Sequence, residues 1–304
     1  MRPPLALLLP LPACWDPPVP ALRLGTNVWP GYAPLYPARA GRLLHADRCR
    51  LVEYPSATEV IRAFRNGTID AAALTLDEVL LLAQDDIECA VVLVTDLSHG
   101  GDVVLGQPGI ADLESLRGRR VGLESTALGA FFLNRALQEH GMSAADVKVV
   151  DLQIHGQGRA FREARGDAVV SFEPVSGELL AGGAELLFDS SRIPGEIVDV
   201  LVCRREAIEE READLRYLLR QWFAALRWIE EEPERTAALM APRLKLPPAE
   251  VGAAFAGLLL PDLAANHAML AGPQPDVAIA GGRLAVFMLE EGLLRRPVDV
   301  PALL

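Results

Sequence analysis

Polar and aromatic side chains follow several predicted strands, and they are the best candidates for chemistry in this 304-residue chain. Ligands of open α/β sheets bind beyond the carboxyl ends of the strands, so side chains at these points would meet at one cleft. Hydroxyl, carboxyl and aromatic groups can hold a small polar molecule by hydrogen bonding and stacking. The expected ligand-binding set is Trp29, Tyr32, Ser56, Thr58, Thr75, Asp77, Asp102, Glu124, Ser125, Thr126 and Glu173.

Each of these residues also has an explanation that needs no ligand. The hydroxyl residues stand where helices are predicted to begin, and such side chains commonly cap helix N-termini. The two aromatic residues, Trp29 and Tyr32, would equally fill the top of a packed lobe, and Asp102 would equally end a turn. The binding interpretation depends on position, because six strand ends that carry such groups would converge on one cleft.

Signatures of catalysis are missing from the sequence. It contains no GxSxG, HExxH or GxxxxGK[ST] motif, and its five histidines have no partner at a useful spacing. Glu124 and Glu173 would suit an acid–base pair, but in a binding cleft such groups more often accept hydrogen bonds from ligand donors. We therefore expect a binding protein rather than an enzyme, with no catalytic residue, no metal and no cofactor.

Predicted strands and helices alternate along the chain in two successive runs, from Leu22 to Thr95 and from Arg120 to Asp189. After Val202 the pattern becomes helical, with an apolar stripe between Leu215 and Ile229. Alternating strands and helices predict parallel sheets that are covered by helices on both faces. The expected fold is therefore α/β, with two doubly wound lobes, a central ligand cleft and a helical C-terminal part.

Charge and cysteine content exclude several classes of protein. The formal net charge of −12 and the absence of a basic stripe argue against nucleic-acid binding, which needs clustered Lys and Arg. The four cysteines form no CxxC pair, so neither a zinc site nor a redox motif is expected. A disulfide between Cys49 and Cys89 stays open at this point, although nothing in their spacing requires it.

The first 21 residues have the features of a secretory leader followed by a spacer. Met1-Arg2 precedes a short apolar run, and Leu11–Cys14 (LPAC) is similar to a bacterial lipoprotein cleavage box, with a Pro-rich segment after it. The apolar run is too short to span a bilayer. We expect an extracytoplasmic protein, periplasmic or anchored by a lipid on Cys14; a poorly ordered leader without function is the alternative.

An ordered set of short motifs resembles the nitrate/sulfonate/taurine family of ABC transporter substrate-binding proteins. Each motif alone is weak, but together they cover the chain from about Leu22 to Val202. The helical C-terminal part fits the family by the order of its elements. The motifs are Leu22–Tyr32 (LRLGTNVWPGY), Gly67–Ala71 (GTIDA), Asp112–Gly122 (DLESLRGRRVG), Glu124–Gly129 (ESTALG), Phe172–Pro174 (FEP) and Phe188–Gly195 (FDSSRIPG).

This resemblance implies a type II periplasmic-binding-protein fold. Residues 22–101 and 196–304 would form lobe 1, residues 102–195 would form lobe 2, and the crossings near Asp102 and Glu196 would act as the hinge. The implied partners are a small-molecule ligand and the permease and ATPase subunits of an ABC importer, with the chain itself a monomer. Family ligand contacts would fall on members of the ligand-binding set above, from Trp29 to Glu173.

The strand ends contain acidic residues but no Lys or Arg, which is unlike a site for nitrate or a simple sulfonate. Acidic groups suit a ligand with an amine or another donor, so we expect a taurine-like zwitterion or an aminopyrimidine-like compound. A solute sensor in a signalling system is the alternative. An enzyme that resembles thiamine-pyrimidine synthases is less favoured, since their cysteine-rich motif and catalytic histidine are missing.

Overall fold

A computed structural model describes residues 20–304, which contain eleven strands and twelve α-helices. The strands are β1 (Leu22–Thr26), β2 (Cys49–Glu53), β3 (Ala71–Thr75), β4 (Cys89–Ser98), β5 (Asp102–Gly106), β6 (Arg120–Leu123), β7 (Lys148–Asp151), β8 (Ala168–Phe172), β9 (Glu185–Asp189), β10 (Val198–Arg204) and β11 (Leu258–Leu259). The helices are α1 (Leu35–Ala40), α2 (Ala57–Arg65), α3 (Leu76–Gln84), α4 (Ala127–Gln138), α5 (Ile154–Arg162), α6 (Val175–Ala181), α7 (Arg205–Glu210), α8 (Glu212–Glu231), α9 (Pro233–Leu244), α10 (Pro248–Ala254), α11 (Leu263–Leu270) and α12 (Asp276–Glu290).

Two sheets organise the chain, one in each lobe. The six-stranded sheet has the order β11-β4-β10-β3-β1-β2, and the five-stranded sheet has the order β7-β6-β8-β5-β9. The chain leaves the first sheet between β4 and β5 and returns to it between β9 and β10. The predicted α/β architecture with two lobes is confirmed.

The expectation of purely parallel sheets is wrong, because each sheet contains strands that run against the others. In the first sheet, β10 is antiparallel to β3 and β4, and in the second, β5 is antiparallel to β8 and β9. The crossings are the cause: β10 enters the first sheet at the edge where β3 ends, with Asp199 opposite Thr75. Likewise β5 starts where β8 ends, with Asp102 opposite Phe172. Asp102 therefore begins a strand and does not end a turn.

Helix α2 illustrates how the sequence fixes local structure beside the cleft. Ser56 caps its N-terminus by accepting a 3.4 Å hydrogen bond from the Glu59 N–H. Val60 and Phe64 are fully buried on the face that packs against the first sheet, as their helical spacing predicts. The chain turns away after the helix at Gly67, whose φ of +67° favours glycine.

The cysteines of the sheets are structural. Cys49 lies in β2 and Cys89 in β4, and three strands separate them in the first sheet. At about 4.8 Å per strand this places them roughly 19 Å apart, beyond the reach of a disulfide. Within residues 20–304, Cys49, Cys89 and Cys203 are all free and buried. Burial raises the pKa of the Cys49 thiol to about 12, so it packs as an apolar side chain.

None of the helices in residues 20–304 is both long enough and apolar enough to cross a membrane.

Three glycines allow close backbone packing at the first crossing. The His99 N–H donates a 2.8 Å hydrogen bond to the Gly257 carbonyl, which holds the β11 segment against Gly100 and Gly101. A Cβ atom added to Gly257 would lie 2.4 Å from the backbone nitrogen of Gly101. Only glycine permits this contact, because the neighbouring atoms are backbone and cannot rotate away.

Replacing Gly257 with Ala is expected to lower the free energy of unfolding by about 1–3 kcal/mol, as overpacking of a rigid contact does. Thermal and urea denaturation of the variant measure this change. Gly252→Ala is the matched control, since Gly252 lies in α10 with open space around it and Ala favours a helix. Equal stability of the two variants would show that the Gly257 contact does not constrain the crossing.

Candidate functional site

The edges at which the chain crosses between the lobes bring together the candidate side chains. In the first sheet, β1, β3 and β4 end at this edge and β10 begins there. In the second sheet, β6 and β8 end at the facing edge and β5 begins there. Residues that are far apart in sequence, such as Trp29, Thr75 and Asp199, are therefore neighbours in the structure. The strand-end argument predicts this convergence.

Trp29 connects the two lobes. Its indole N–H lies 3.1 Å from Oδ1 of Asp96 in β4. Its ring packs edge-to-face against Phe172 of β8, with the ring centroids 5.2 Å apart. Gly31 makes this arrangement possible, because a Cβ atom there would lie 1.9 Å from the Asp96 carboxylate. Only 6% of Trp29 is exposed, so its ring is buried at this contact.

Tyr32 lies at the end of the same turn and is almost fully buried. Its hydroxyl donates a hydrogen bond to Oδ1 of Asp199 in β10. Burial raises the pKa of the Tyr32 phenol well above its usual value, and the charge of Asp199 acts in the same direction. Tyr32 therefore stays a proton donor at physiological pH.

Five buried carboxyl groups surround these aromatic residues, and we name them the acid cluster. Each is 2% exposed or less. They come from helix α3 and from three strands, and they include Asp77 and Asp102 of the predicted set. Among the groups in the described part of the chain that shift their pKa values, no Lys, Arg or His appears. The acid cluster consists of Asp77, Glu78, Asp96, Asp102 and Asp199.

Desolvation dominates the electrostatics of the acid cluster, because burial disfavours the charged form of a carboxyl group. It raises the pKa of Asp77 to about 6, and it raises the pKa values of Asp96 and Asp102 to about 7. It raises the pKa of Glu78 to about 8, with the charge of Asp77 as the second cause. Burial also raises the pKa of Asp199 well above its usual value, and neighbouring carboxyls reinforce the effect.

Hydrogen bonds satisfy only part of the acid cluster. The Thr75 N–H donates a 3.1 Å hydrogen bond to the Glu78 carboxyl, and the Thr95 hydroxyl donates a 3.2 Å hydrogen bond to the Asp96 carboxyl. Among residues 20–304, Oδ2 of Asp77, Asp102 and Asp199 has no partner in good hydrogen-bond geometry, although the nearby hydroxyls of Thr75 and Ser98 lower the pKa values of Asp77 and Asp102. Buried polar atoms are nearly always hydrogen-bonded, so three orphaned oxygens in one place require an explanation.

A cavity of about 940 Å³, which we name the outer cavity, is lined by Phe172 and by residues that follow strands of both sheets, and no carboxyl of the acid cluster is among its lining residues. Lobe 1 contributes Tyr54 and the segment from Arg243 to Ala254, and lobe 2 contributes residues of α5 and α6. Phe172 lines this cavity with one part of its ring and contacts Trp29 with another. The predicted residue Glu173 lies in the wall, close to Gly177 at the start of α6.

Helices supply the cavity with cations that the strand ends lack. Arg243 is fixed by a 3.0 Å hydrogen bond to the Tyr36 hydroxyl and a 3.3 Å ion pair with Glu53. Lys245 follows α9 in the left-handed conformation. Lobe 2 adds Arg159 and Arg162 of α5. Four glutamates line the same cavity, so its positive charge is balanced. They are Glu53, Glu173, Glu178 and Glu250.

Glu124 forms a second bridge between the lobes. The Thr58 hydroxyl of α2 donates a 3.4 Å hydrogen bond to Glu124 Oε1, which lies between β6 and α4. Burial raises the pKa of Glu124, against the opposing effect of hydrogen bonds from Ser56 and Thr58. The structure therefore brings these three predicted residues together, at the side of the cleft rather than in the acid cluster.

Three predicted hydroxyl residues have local roles in the structure. Thr126 caps α4 and accepts a 3.1 Å hydrogen bond from the Gly129 N–H. Ser125 is exposed, with its N–H 3.3 Å from Oδ1 of Asp151. Thr75 begins α3, and its N–H is bound by Glu78. Their ligand contacts stay predictions.

Sequence reasoning missed Glu78, Asp96 and Asp199 of the acid cluster. Glu78 completes the Thr-x-x-Glu pattern of a capping box. Because capping already explains a Glu at this position, the pattern did not indicate that the side chain is buried. Asp199 lies in the apolar strand β10, where a charged residue among Val and Leu was the available signal. Arg243 and Lys245 were missed because they reach the cleft from a helix end and not from a strand.

A protein-family model matches the part of the chain that contains all of the short motifs. Residues 16–244 match the model of the NMT1-like family, which is more than half of the chain. The chain belongs to the NMT1-like family. The family assignment and the predicted resemblance to nitrate- and sulfonate-binding proteins agree. No curated protein sequence is detectably similar to this NMT1-like chain.

Solved structures with the same fold include binding proteins of the periplasm. The aliphatic sulphonate binding protein SsuA from Escherichia coli is 20% identical, with a TM-score of 0.77 over 94% of this chain and 97% of that one. SsuA from Xanthomonas axonopodis pv. citri bound to MOPS is 20% identical, with a TM-score of 0.79 over 94% and 99%. The nitrate-binding protein NrtA from Synechocystis PCC 6803 is 11% identical, with a TM-score of 0.74 over 93% and 84%. These likenesses establish the two-lobed periplasmic-binding-protein fold of the NMT1-like chain.

The predicted leader and the lipidation site Cys14 lie outside the described residues 20–304, and lipidation of Cys14 stays a prediction.

The acid cluster makes stability depend on pH. Its pKa values are higher in the folded chain than the usual value near 4, so the folded state binds more protons than the unfolded state between about pH 4 and pH 7. Stability is therefore expected to fall as pH rises through this range. Asp102→Asn removes one titrating group, so the loss of unfolding free energy with rising pH should be smaller by a few kcal/mol. A difference of one pKa unit corresponds to about 1.4 kcal/mol.

Urea denaturation of wild type and Asp102→Asn at pH 5 and pH 8 measures this dependence. The exposed Asp47, replaced by Asn, is the matched control and should change neither value. The same slope with pH in wild type and Asp102→Asn would show that Asp102 does not retain its proton in the folded chain.

Proposed function

We propose that this NMT1-like chain is the extracytoplasmic solute-binding component of an ABC importer. It closes two lobes on a small polar molecule and delivers that molecule to a permease that works with an ATPase. The observation that carries the proposal is the set of buried polar and aromatic groups between the lobes, with contacts from both sides at Trp29–Phe172 and Thr58–Glu124. The fold of the periplasmic sulphonate- and nitrate-binding proteins supports it.

Lobe closure would proceed about the two crossings, near Asp102 and Glu196, with residues 22–101 and 196–304 moving against residues 102–195. A serine pair joins the two crossings: the hydroxyls of Ser98 and Ser190 are 2.7 Å apart, and Ser190 accepts the Gly100 N–H at 2.7 Å. Closure gains contacts that neither lobe offers alone, so a ligand that touches both lobes shifts the population to the closed form.

The ligand in this proposal carries hydrogen-bond donors. Buried carboxyls and the Glu124 side chain accept hydrogen bonds, and an aromatic wall of Trp29 and Phe172 suits a flat or apolar part of the molecule. A taurine-like zwitterion and an aminopyrimidine-like compound both meet these requirements. Arg243 and Lys245 line the outer cavity, and their positive charges would attract an acidic group at the other end of either molecule.

A thermal-shift screen of the protein against sulfonates, taurine, nitrate, amino acids, polyamines and pyrimidines tests the proposal. A ligand at 100 times its dissociation constant adds about 2.7 kcal/mol and raises the melting temperature by several degrees. We expect one class of solute to stand out and to be recovered chemically unchanged. A solute that is consumed would instead identify an enzyme, and a complete lack of hits would contradict solute binding.

Trp29→Ala should weaken binding of the identified solute at least about tenfold, because the stacking surface is lost. Isothermal titration calorimetry measures the dissociation constant. Trp228→Ala is the matched control, since Trp228 lies on α8 and contacts Gly41, away from the cleft. Equal affinity of wild type and Trp29→Ala would remove Trp29 from the ligand site.

A further inference from the structure

The acid cluster is costly for the protein on its own. A buried carboxyl group without a cation either loses solvation energy as the charged form or must hold its proton. Five such groups occur together at the junction of the lobes, where Asp199 lies beside both Thr75 and Asp96 in the sheet. A folded core could be built more stably with apolar residues of similar volume, so the cluster needs a reason beyond folding.

The orphaned oxygens supply an independent indication of a ligand. Oδ2 of Asp77, Asp102 and Asp199 belongs in each case to a side chain that is at least nine-tenths buried. A buried carboxyl oxygen without a hydrogen-bond partner costs the desolvation of that atom, and the three oxygens belong to one helix and two strands that meet at the junction of the lobes. A bound molecule with several N–H donors would satisfy all three.

The charges around the cluster are uniformly acidic. The titratable groups that act on the five carboxyls are the carboxyls themselves, Tyr32 of the first turn and Glu124 of the second lobe. In residues 20–304 no three His, Cys, Asp or Glu side chains are arranged to hold a metal ion. No cation is therefore among the groups that act on these carboxyls, and a positive group of a bound solute would be the first one beside them.

We propose that the acid cluster receives a positively charged group of the solute, an ammonium or an amidinium, which reaches it from the outer cavity past Trp29 and Phe172. This inference rests on the proposed solute-binding function and adds the charge of the ligand. Trp29 and Phe172 come from different lobes, so lobe opening separates the two rings and exposes the cluster. Aromatic faces beside the path also favour a cation.

Binding of a cation by this site releases protons. In the empty protein burial raises the pKa of Asp102 to about 7, so this carboxyl holds a proton in part of the molecules at neutral pH, and an adjacent positive charge lowers the pKa. Affinity for a cation therefore rises as pH increases from 6 to 8. A ligand that is an anion has the opposite dependence, because it needs protonated carboxyls as donors and loses them as pH rises.

Three probes of one shape and different charge test the proposal: benzamidine, benzamide and benzoate. Calorimetry with the full-length chain at pH 6 and pH 8 measures their affinities and, by comparing buffers, the number of protons released. We expect benzamidine to bind most tightly, with an affinity about tenfold higher at pH 8 and release of about one proton. Tighter binding of benzoate, an affinity for benzamidine that falls with pH, or no benzamidine binding at about 10 mM would overturn the proposal.

Two variants test whether benzamidine binds at the acid cluster. Asp102→Asn and Asp199→Asn, each checked for folding by its melting curve, should lower benzamidine affinity at least about tenfold and reduce the proton release. Asp47→Asn, exposed and outside the cleft, should not. Unchanged affinity in both cluster variants, or binding of Ca²⁺ in preference to benzamidine, overturns the proposal. An anionic solute found in the thermal-shift screen would also overturn it, while leaving solute binding in place.

Discussion

Two crossings of the chain at the same edge of both sheets are the constraint on which the site depends. Because β4 leads directly into β5 and β10 returns beside β3, the carboxyl ends of the parallel strands in each lobe face one another. Every polar group that follows such a strand is therefore directed to the junction of the lobes. The contact of Gly257 with Gly100 and Gly101 keeps the first crossing tightly packed.

The same constraint explains why carboxyl groups are buried so deeply. Asp96 and Asp199 occupy paired positions in adjacent strands, and Asp102 begins the strand just beyond the crossing. Burial of this kind raises the pKa values of these carboxyls. In the proposed function the site would give up stability for recognition, which is common where buried polar groups serve binding.

The fold is shared with proteins that bind sulphonates and nitrate, yet the inner part of this cleft is acidic. A fold shared at about 20% identity indicates a two-lobed architecture but does not identify the ligand. Here the side chains that would discriminate between ligands lie in two zones, the acid cluster inside the Trp29–Phe172 pair and the mixed charges of the outer cavity. The Trp29–Phe172 pair joins a residue that follows β1 to the last residue of β8.

The sequence by itself determined the alternation of strands and helices, the two-lobed α/β class and the family, because periodicity and ordered short motifs are local properties. It also predicted that Trp29, Thr75, Asp77 and Asp102 lie near one another, since strand ends in such sheets converge. Only the tertiary structure decided that β5 and β10 run antiparallel and that Asp96, Asp199 and Glu78 join Asp77 and Asp102 in one buried cluster. Burial and countercharge depend on which elements pack together. Glu78 and Asp199 are more than a hundred positions apart, and they become neighbours only because the chain crosses between the lobes and returns.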